Sequence, residues 1–326
     1  MHQLVQRIEF EKVLDLPSCE EAFSLVRCAV SDRGSGLFLF VEDLAKDEVH
    51  GMDRDSFAAF PKTRMENPSR LKLIELASNE SREVELPPLD MAFPLVDVFP
   101  DGRVLVAGAR CRYRGPGDYD RNGAVYDPSN GELSRILLGD GIADLAIDAR
   151  GWVWISYFDE GVFGNYGWGS RGHQPIGSHG LNCFDDTGEI LWRFSGAGDF
   201  GEIDDCYALN VQDATAAVFY YTEFPLCLIS GEFEKRCFKT GLRGCRSFAI
   251  NGSTVLFARQ YKEPASTAHL GKLLNGEVGC LERVEIGLPD GSLISSGQLL
   301  GRGGDLHYFD DDAWYRFKLS QLAECA

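Results

Sequence analysis

A glycine-rich stretch between two apolar runs collects the side chains best suited to bind a ligand. It reads YFDEGVFGNYGWGSRGHQPIGSHG and extends from residue 157 to residue 180. Carboxylates can transfer protons or ligate hard cations, imidazoles titrate near neutral pH, and aromatic rings hold cations and apolar groups. The candidates in this stretch are Tyr157, Asp159, Glu160, Tyr166, Trp168, Arg171, His173 and His179.

The glycines of this stretch allow its backbone to turn tightly and to approach a ligand. We therefore expect the stretch to form one wall of a pocket. Two alternatives remain open: Tyr166 and Trp168 pack the loop against neighbouring structure while the histidines face water, or the loop is a lid with Trp168 buried. Five residues separate His173 from His179, a spacing too loose to specify a metal site.

Arginines form two further clusters, ARCRYRGPGDYDRNG around Arg112 and GLRGCRSF around Arg246. Guanidinium groups can clamp a carboxylate or a phosphate through paired hydrogen bonds. The alternative is that they pair with nearby acids such as Asp118, Asp120 and Asp204. We expect Arg112 and Arg246 to reach the same pocket as the glycine-rich stretch.

Acidic pairs are frequent in a chain with 50 Asp and Glu residues, so most of them are interpreted as solvated turns. Asp101 and Asp148 follow the chemistry of tight turns. Nucleotide-binding and hydrolase motifs are missing from the sequence in their required strand and helix context. The predicted binding set is Arg112, Asp144, Tyr157, Asp159, Glu160, Trp168, His173, His179 and Arg246, with the catalytic and metal-ligating residues unknown.

The elements that position these residues repeat along the chain. Each copy has an apolar strand end, a tight turn rich in Asp, Asn or Gly, and a nearly continuous apolar strand, as in LAIDARGWVWISY. Such turns fit short hairpins, because these residues tolerate a positive φ. The six copies span residues 28–43, 95–111, 145–160, 209–224, 248–261 and 297–312.

The second strand of each copy is apolar at successive positions, whereas a half-exposed strand alternates. Both faces must therefore be covered, as they are when sheets stack radially. A second hairpin in most copies supplies two outer strands, which makes four strands per repeat. The pattern predicts a six-bladed all-β propeller of four-stranded antiparallel blades, one domain over residues 1–326, in which the N-terminal strand LVQRIEFEKVL closes the last blade.

Composition narrows the function classes. A net charge of −18 opposes the binding of a phosphate backbone, so nucleic acid is excluded as a principal partner. No apolar run reaches the length of a membrane span. The ten cysteines contain no CxxC pair and are interpreted as reduced, and the N-terminus shows no secretory pattern, so a cytoplasmic location is expected.

The segment IADLAIDARGWVWISY, residues 142–157, resembles the repeat of streptogramin-lyase-like and NHL-like six-bladed propellers. That repeat carries an Ile-Ala-x-Asp-x-x-Gly-x-x-Trp type core. The resemblance implies the fold. Lyases of that type use a histidine and a glutamate around a divalent metal, and this catalytic motif is not assigned to residues of this chain.

Two functions of different classes follow. The first is a noncatalytic module that binds a small molecule or a protein partner at the mouth of the propeller channel. The second is a metal-assisted lyase or hydrolase acting on a small cyclic or peptide-like substrate, for which the cofactor is a divalent cation. An enzyme requires converging acid, base or metal groups, whereas a binding module requires aromatic and arginine anchors.

Overall fold

The alternation of tight turns and apolar runs produces an almost entirely β-stranded chain. The computed structural model describes residues 6–19, 22–54, 59–77, 80–169, 173–196 and 198–325. Six sheets of four antiparallel strands form the blades of a six-bladed β-propeller, and the fifth sheet carries one additional strand. The predicted fold class is confirmed. Backbone contacts group the chain into two compact units of three blades each, and the prediction of a single domain stays a prediction.

The first unit along the chain, here called the N-terminal unit, comprises residues 17–195 and 202–205. Its blades are β3-β4-β7-β8, β9-β10-β13-β14 and β15-β16-β17-β18, and two small hairpins, β5-β6 and β11-β12, extend from its loops. Its strands are β3 Phe23–Val30, β4 Gly36–Glu42, β5 Met52–Arg54, β6 Ala59–Pro61, β7 Arg64–Leu76, β8 Ser81–Met91, β9 Pro94–Val98, β10 Val104–Gly108, β11 Tyr113–Gly115, β12 Asp118–Tyr119, β13 Gly123–Asp127, β14 Glu132–Ile136, β15 Ile142–Ile147, β16 Val153–Tyr157, β17 Leu181–Phe184 and β18 Ile190–Arg193.

The other unit, here called the C-terminal unit, comprises residues 1–16, 196–201 and 206–326. Its blades are β19-β20-β21-β22, β23-β24-β25-β26 with β1 added, and β27-β28-β29-β2. Its strands are β1 Gln6–Glu9, β2 Glu11–Asp15, β19 Asp205–Gln212, β20 Thr215–Tyr221, β21 Leu226–Ile229, β22 Lys235–Phe238, β23 Ser247–Asn251, β24 Thr254–Ala258, β25 Thr267–Leu274, β26 Glu277–Gly287, β27 Gln298–Arg302, β28 Asp305–Phe309 and β29 Ala313–Lys318.

Helices are few and short among the described residues. The α-helices are α1 Lys46–Val49 and α2 Asp159–Phe163, and 3₁₀ turns cover Asp43–Ala45, Gly198–Phe200 and Leu319–Cys325. No helix in the described part of the chain is long and apolar enough to cross a membrane.

The N-terminal segment completes the last blade. Strand β2 pairs antiparallel with β29, with Glu11 opposite Arg316 and Asp15 opposite Ala313. The prediction that an N-terminal strand closes the sixth blade is therefore confirmed. The segment also does something that the sequence pattern did not predict: β1 pairs in parallel with β26 of the fifth blade. Between the two strands lies Phe10, which is buried and stacks on Phe317 at 5.8 Å.

Each predicted hinge is the turn of an inner hairpin. At the hinge of the third blade, Asp148 is buried and accepts hydrogen bonds from the backbone N–H groups of Arg150 and Trp152 at 2.9 and 3.1 Å. The indole of Trp154 donates to the same carboxylate at 3.2 Å. Gly151 adopts a φ of 84°, which glycine tolerates without a steric penalty. This geometry confirms that Asp148 is a turn residue.

Apolar side chains fill the spaces between neighbouring blades within each unit. In the N-terminal unit, Leu39, Leu73 and Val106 are fully buried in one such cluster, and Ile155 and Phe184 in the next. In the C-terminal unit, Phe219 and Phe257 occupy one cluster and Leu306 the other. The continuous apolar strands are thus covered on both faces, as their composition predicts.

Buried polar side chains tie inner strands together. Asn210 donates to the backbone carbonyls of Phe248 and Gly303 at 2.8 and 3.0 Å, which joins three blades of the C-terminal unit. In the N-terminal unit, Asp97 accepts a hydrogen bond from the backbone N–H of Ile147 at 2.7 Å, which joins β9 to β15. Such fully satisfied polar groups fix the register of neighbouring strands.

A disulfide bond joins Cys227 to Cys237, which are direct partners across the antiparallel pair β21-β22 with their Cα atoms 4.0 Å apart. The prediction that all cysteines are reduced is wrong at this pair, because the register of two strands brings together residues ten positions apart. Cys28, Cys206 and Cys245 are buried and not disulfide-bonded, as expected. Disulfides are rare in the reducing cytosol, and the cytoplasmic location stays a prediction.

Candidate functional site

Three long loops of the N-terminal unit come together and are here called the loop cluster. They connect the second and third strands of each blade and span residues 43–63, 109–122 and 158–180. The hydroxyl of Tyr166 donates to the carbonyl of Pro61, and the backbone N–H of Tyr113 donates to the carbonyl of Tyr166 at 2.9 Å. All three loops are therefore fastened to one another around Tyr166.

Arg110 is the buried centre of the loop cluster. Its side chain is 4% exposed, and its Nη2 atom lies 3.0 Å from Asp140 Oδ2 and 2.7 Å from Glu160 Oε2. Its guanidinium also lies over the rings of Phe158 and Tyr166, at 5.2 and 4.6 Å from their centroids. Two carboxylates and two aromatic faces thus hold one cation, with its Nε left without a hydrogen-bond partner.

Asp140 is the buried acid of this centre. Its carboxylate accepts hydrogen bonds from the backbone N–H of Cys111 at 2.7 Å and from Arg110. Burial nevertheless outweighs these contacts and raises the pKa of Asp140 to about 6. The charge of this pair can therefore change within the range of pH at which proteins are usually studied.

Tyr166 carries a second arginine on its ring. The guanidinium of Arg112 lies 5.3 Å from the ring centroid, and that of Arg110 lies 4.6 Å from it. Tyr166 itself has a φ of 47°, a left-handed conformation that is costly for an aromatic residue. We call Arg110, Arg112 and Tyr166 the arginine–tyrosine platform.

Arg112 differs from its neighbours in this loop. Arg114 pairs with Asp118 and Asp120, at 3.3 and 2.6 Å. Arg112 is exposed, and within the described ranges its guanidinium forms no ion pair. The structure therefore confirms acid pairing for Arg114 and leaves Arg112 available to a ligand.

Aromatic rings pack together in the loops that carry the platform. Trp168 is buried, donates its indole N–H to the carbonyl of Cys111 at 2.9 Å and packs 4.9 Å from Tyr113. Tyr113 stacks on Tyr119 at 6.4 Å and bonds through its hydroxyl to the ring of His173 at 3.0 Å. These contacts hold the hairpin β11-β12 against the 158–180 loop.

A cavity of about 360 Å³ opens beside the same hairpin. Asp120 lines it and also accepts a hydrogen bond from the backbone N–H of Arg112 at 2.9 Å, while the Arg112 side chain is not part of the lining. Arg64 and Arg121 lie on its wall and form no ion pair with any residue the structure describes. The remaining lining residues are Thr63, Asp90, Met91, Arg114, Asp118, Tyr119 and Asn122.

The structure separates the predicted site residues into buried and exposed members. Tyr157 is fully buried, and its hydroxyl donates to the carbonyl of Leu138. Trp168 is buried too, as described above. Asp159 is exposed at the start of α2, and the Glu160 side chain is 46% exposed.

The other predicted residues are not members of the platform. Asp144 faces Arg27, with Oδ1 3.9 Å from Nη2. His179 is bonded through Nδ1 to the carbonyl of Phe194 at 2.7 Å and lines a separate cavity of about 290 Å³. Arg246 belongs to the C-terminal unit. Arg171 lies outside the described residues.

Sequence reasoning did not find two residues of the loop cluster, Tyr113 and Phe158, or Asp140, which contacts the cluster through Arg110. Asp140 stands in a plain turn sequence, LGDGI, and becomes significant only because Arg110, 30 positions earlier, folds onto it. Tyr113 carried a usable signal, since it alternates with the arginines in RCRYR. Phe158 follows a buried strand and gave no signal of its own.

The resemblance to lyases raises the question of a divalent metal. Among the described residues, no group of three or more His, Cys, Asp and Glu side chains lies close enough to hold a metal ion. His173 is occupied by Tyr113, and His179 by a backbone carbonyl. The described residues therefore do not fit such a centre.

Comparison with known proteins finds similarity in structure alone. No protein-family model matches the sequence, and no curated protein matches it. Virginiamycin B lyase from Staphylococcus aureus is 12% identical, with 94% of this chain and 98% of that chain covered and a TM-score of 0.47. A gluconolactonase from Xanthomonas campestris is 11% identical, covers 94% and 98%, and has a TM-score of 0.43. Hsv2 from Kluyveromyces lactis is 9% identical, covers 91% and 75%, and has a TM-score of 0.49.

The resemblance predicted from the third-blade hinge is thus confirmed at the level of the fold, which the strand pairing itself establishes. The names of these similar proteins indicate different activities, such as those of a lyase and of a gluconolactonase. Identities of 9 to 12% leave the site of this chain to be argued from its own residues.

Proposed function

We propose that this protein is a noncatalytic binding module that takes up a small molecule carrying a carboxylate or phosphate group at the loop cluster of its N-terminal unit. Arg112 is the contact for the anionic group. Tyr166 and Glu160 border it, and Arg110 is a positioning residue beneath it. The proposal refines the binding function expected from the sequence.

The observation that carries the proposal is the state of Arg112. Arg114, two positions further along the same loop, is paired with Asp118 and Asp120. The guanidinium of Arg112 instead lies over the Tyr166 ring, 5.3 Å from its centroid, and forms no ion pair with any described residue. The planar guanidinium of an arginine can bind a carboxylate or a phosphate through two parallel hydrogen bonds.

The adjoining cavity provides room for the rest of the ligand. Its volume of about 360 Å³ lies within the range of small-molecule sites, roughly 300–1,000 Å³. Three arginines and three aspartates on its wall balance one another in charge, and Met91 and Tyr119 add apolar surface. A compact ligand body with both polar and apolar groups matches this lining.

Calorimetric titration of citrate and of inorganic phosphate at low ionic strength tests the proposal. Arg112→Ala should weaken binding of the preferred anion about tenfold or more, because the paired hydrogen bonds are lost. Arg112→Lys should recover part of the lost affinity, because lysine keeps the positive charge but lacks the paired N–H donors of the guanidinium. The comparison of the two probes identifies which anion the site prefers.

The matched control is Arg33→Ala. Arg33 is an exposed arginine at the hinge of the first blade, and its guanidinium donates to the carbonyl of Pro100 at 2.6 Å. Its replacement should leave the titration unchanged. Saturable binding that is equal in Arg112→Ala and the wild type, or no binding of either anion to the wild type, contradicts the proposal.

The enzyme alternative is not favoured by any observation on the described residues. The cytoplasmic location and the exclusion of nucleic acid also stay predictions from composition. They are independent of the platform.

A further inference from the structure

A second surface, on the C-terminal unit, combines exposed aromatic rings with basic side chains. Three segments form it: 221–224, 240–246 and 259–263. They contain four basic residues and two acidic ones, an excess of two positive charges in a chain whose net charge is −18. We call this surface the aromatic–basic patch, and its members are Tyr207, Tyr221, Phe224, Tyr261, Arg243, Arg246 and Lys262.

Ring contacts show that the patch is continuous. Phe224 packs against Tyr207 and Tyr221, with centroids 5.4 and 5.5 Å apart. The backbone of Gly244 lies between Tyr207 and Tyr261, since a Cβ atom there would fall 3.4 and 2.9 Å from atoms of the two residues. Tyr261 is 68% exposed and Tyr221 is 46% exposed. Large rings left this open are typical of interaction surfaces.

Two cations of the patch, Arg246 and Lys262, lie over its rings. Arg246 lies 5.1 Å from the Tyr207 centroid, and Lys262 lies 5.1 Å from the Tyr261 centroid. Neither residue, nor Arg243, forms an ion pair within the described part of the chain. Of the two acids in the patch segments, Glu263 is bonded to His269 at 2.8 Å, and Glu223 is exposed.

The backbone of the patch is strained. Phe224, Arg259 and Lys262 have φ values of 54°, 60° and 66°. They are three of the eight non-glycine residues with positive φ among those described, and they fall within two short loops. Such conformations persist only where the surrounding structure enforces them, and they concentrate at functional sites.

We infer that the aromatic–basic patch binds an acidic peptide segment of a partner protein. Rigid tyrosines and arginines are the residues that dominate protein interfaces, and arginine clusters recognise acidic motifs. The negative electrostatic potential of the whole acidic chain repels a nucleic acid, because a nucleic acid carries a long run of phosphates. A short acidic segment meets mainly the patch, because salt screens charges beyond about 8 Å. The inference goes beyond the proposed function, since it concerns another unit and another class of ligand.

Fluorescence anisotropy with a labelled acidic peptide tests the inference. The probe is a peptide of about twelve residues made of Asp and Glu around a central Phe, and the reference peptide replaces the acids by Asn and Gln. The wild type should bind the acidic peptide, with affinity that falls as NaCl is added. Arg246→Ala and Tyr261→Ala should each weaken it about tenfold.

Arg236→Ala is the matched control, because Arg236 is exposed and lies over a ring, that of Phe238 at 5.5 Å, outside the patch. This variant should bind as the wild type does. Equal binding of the acidic and the amide peptides, or unchanged binding by Arg246→Ala, overturns the inference. Tighter binding of an oligothymidylate of the same length also overturns it.

The two proposals fail separately. Arg246→Ala should leave the citrate titration intact, and Arg112→Ala should leave peptide binding intact. A variant that changes both measurements points instead to a change in the fold, which a thermal scan of each variant reveals.

Discussion

At the scale of single residues, the Arg110–Asp140 pair determines how the loop cluster is held. Both side chains are almost fully buried, so water cannot replace either partner. Breaking such a pair leaves an uncompensated charge in the interior. Arg110 and Arg112 therefore have different roles. Arg110 holds Tyr166 in place, and Arg112 is the residue proposed to bind the anion.

Asp140→Asn should alter the dependence of stability on pH. The pKa of Asp140 is raised from 3.8 to about 6, so the folded protein holds this proton more tightly than the unfolded chain does. A group of this kind stabilises the fold most at low pH, and its contribution falls as pH rises from about 4 to about 6. Over that range the wild type should lose about 3 kcal/mol relative to the variant.

Urea denaturation of both proteins at a series of pH values measures this difference. Asp159→Asn is the control, since Asp159 is exposed at the same end of the loop. Unfolding free energies of wild type and Asp140→Asn that run parallel across the range contradict the raised pKa.

At this scale, the sequence alone could predict which types of residue bind a ligand, but it could not predict which residues they contact. Arg112 was identified because arginines stand out in an acidic chain. The contacts that distinguish it from Arg110 and Arg114 come from residues in three loops and depend on how those loops fold. Burial of Trp168, one of the alternatives left open, likewise follows from its packing on Tyr113, which no spacing along the chain reveals.

At the scale of elements, the inner hairpins follow local rules and the N-terminal segment does not. The hinge at Asp148 needs a turn acid, a glycine with positive φ and a tryptophan six positions on, all adjacent in sequence. Strand β2 could be predicted from an incomplete last copy. The parallel pairing of β1 with β26 could not, because its partner lies about 280 residues away and no turn constrains the register.

Phe10→Ala should destabilise the C-terminal unit by about 3–5 kcal/mol, the usual cost of truncating a buried phenylalanine. The ring is 1% exposed and stacks on Phe317 between β1 and β2. Guanidinium denaturation is the measurement, and Glu11→Ala, at an exposed position of β2, is the control. A Phe10→Ala variant that unfolds at the same denaturant concentration as the control shows that the segment does not hold the last blade.

At the scale of the whole molecule, charge is the dominant property. The 50 acidic residues outnumber the 32 lysines and arginines, and this self-repulsion opposes the compact state. In this field, exposed arginines without an acidic partner, such as Arg112 and Arg246, are the places where an anion can approach. The fold class could be predicted from the repeat, because few protein folds are built from six similar copies of one unit.

Raising NaCl from about 10 to about 150 mM should therefore increase the melting temperature, because the screening length falls from about 30 to about 8 Å. Binding of citrate should weaken over the same range, so the two effects have opposite signs. Differential scanning calorimetry measures the first and titration the second. Near the isoelectric point the stabilising effect of salt should vanish. A melting temperature that falls with salt at neutral pH contradicts this view of the charge.

The guanidinium of Arg112, which lies over the Tyr166 ring, should contact the anionic group directly. The most direct measurement is the side-chain Nε–Hε nuclear magnetic resonance signal of Arg112 during a citrate titration, assigned by its disappearance in Arg112→Lys. We expect a saturable shift of this signal with the midpoint measured by calorimetry, while the Arg33 signal stays in place. An Arg112 signal that does not move while citrate binds elsewhere would contradict the claim.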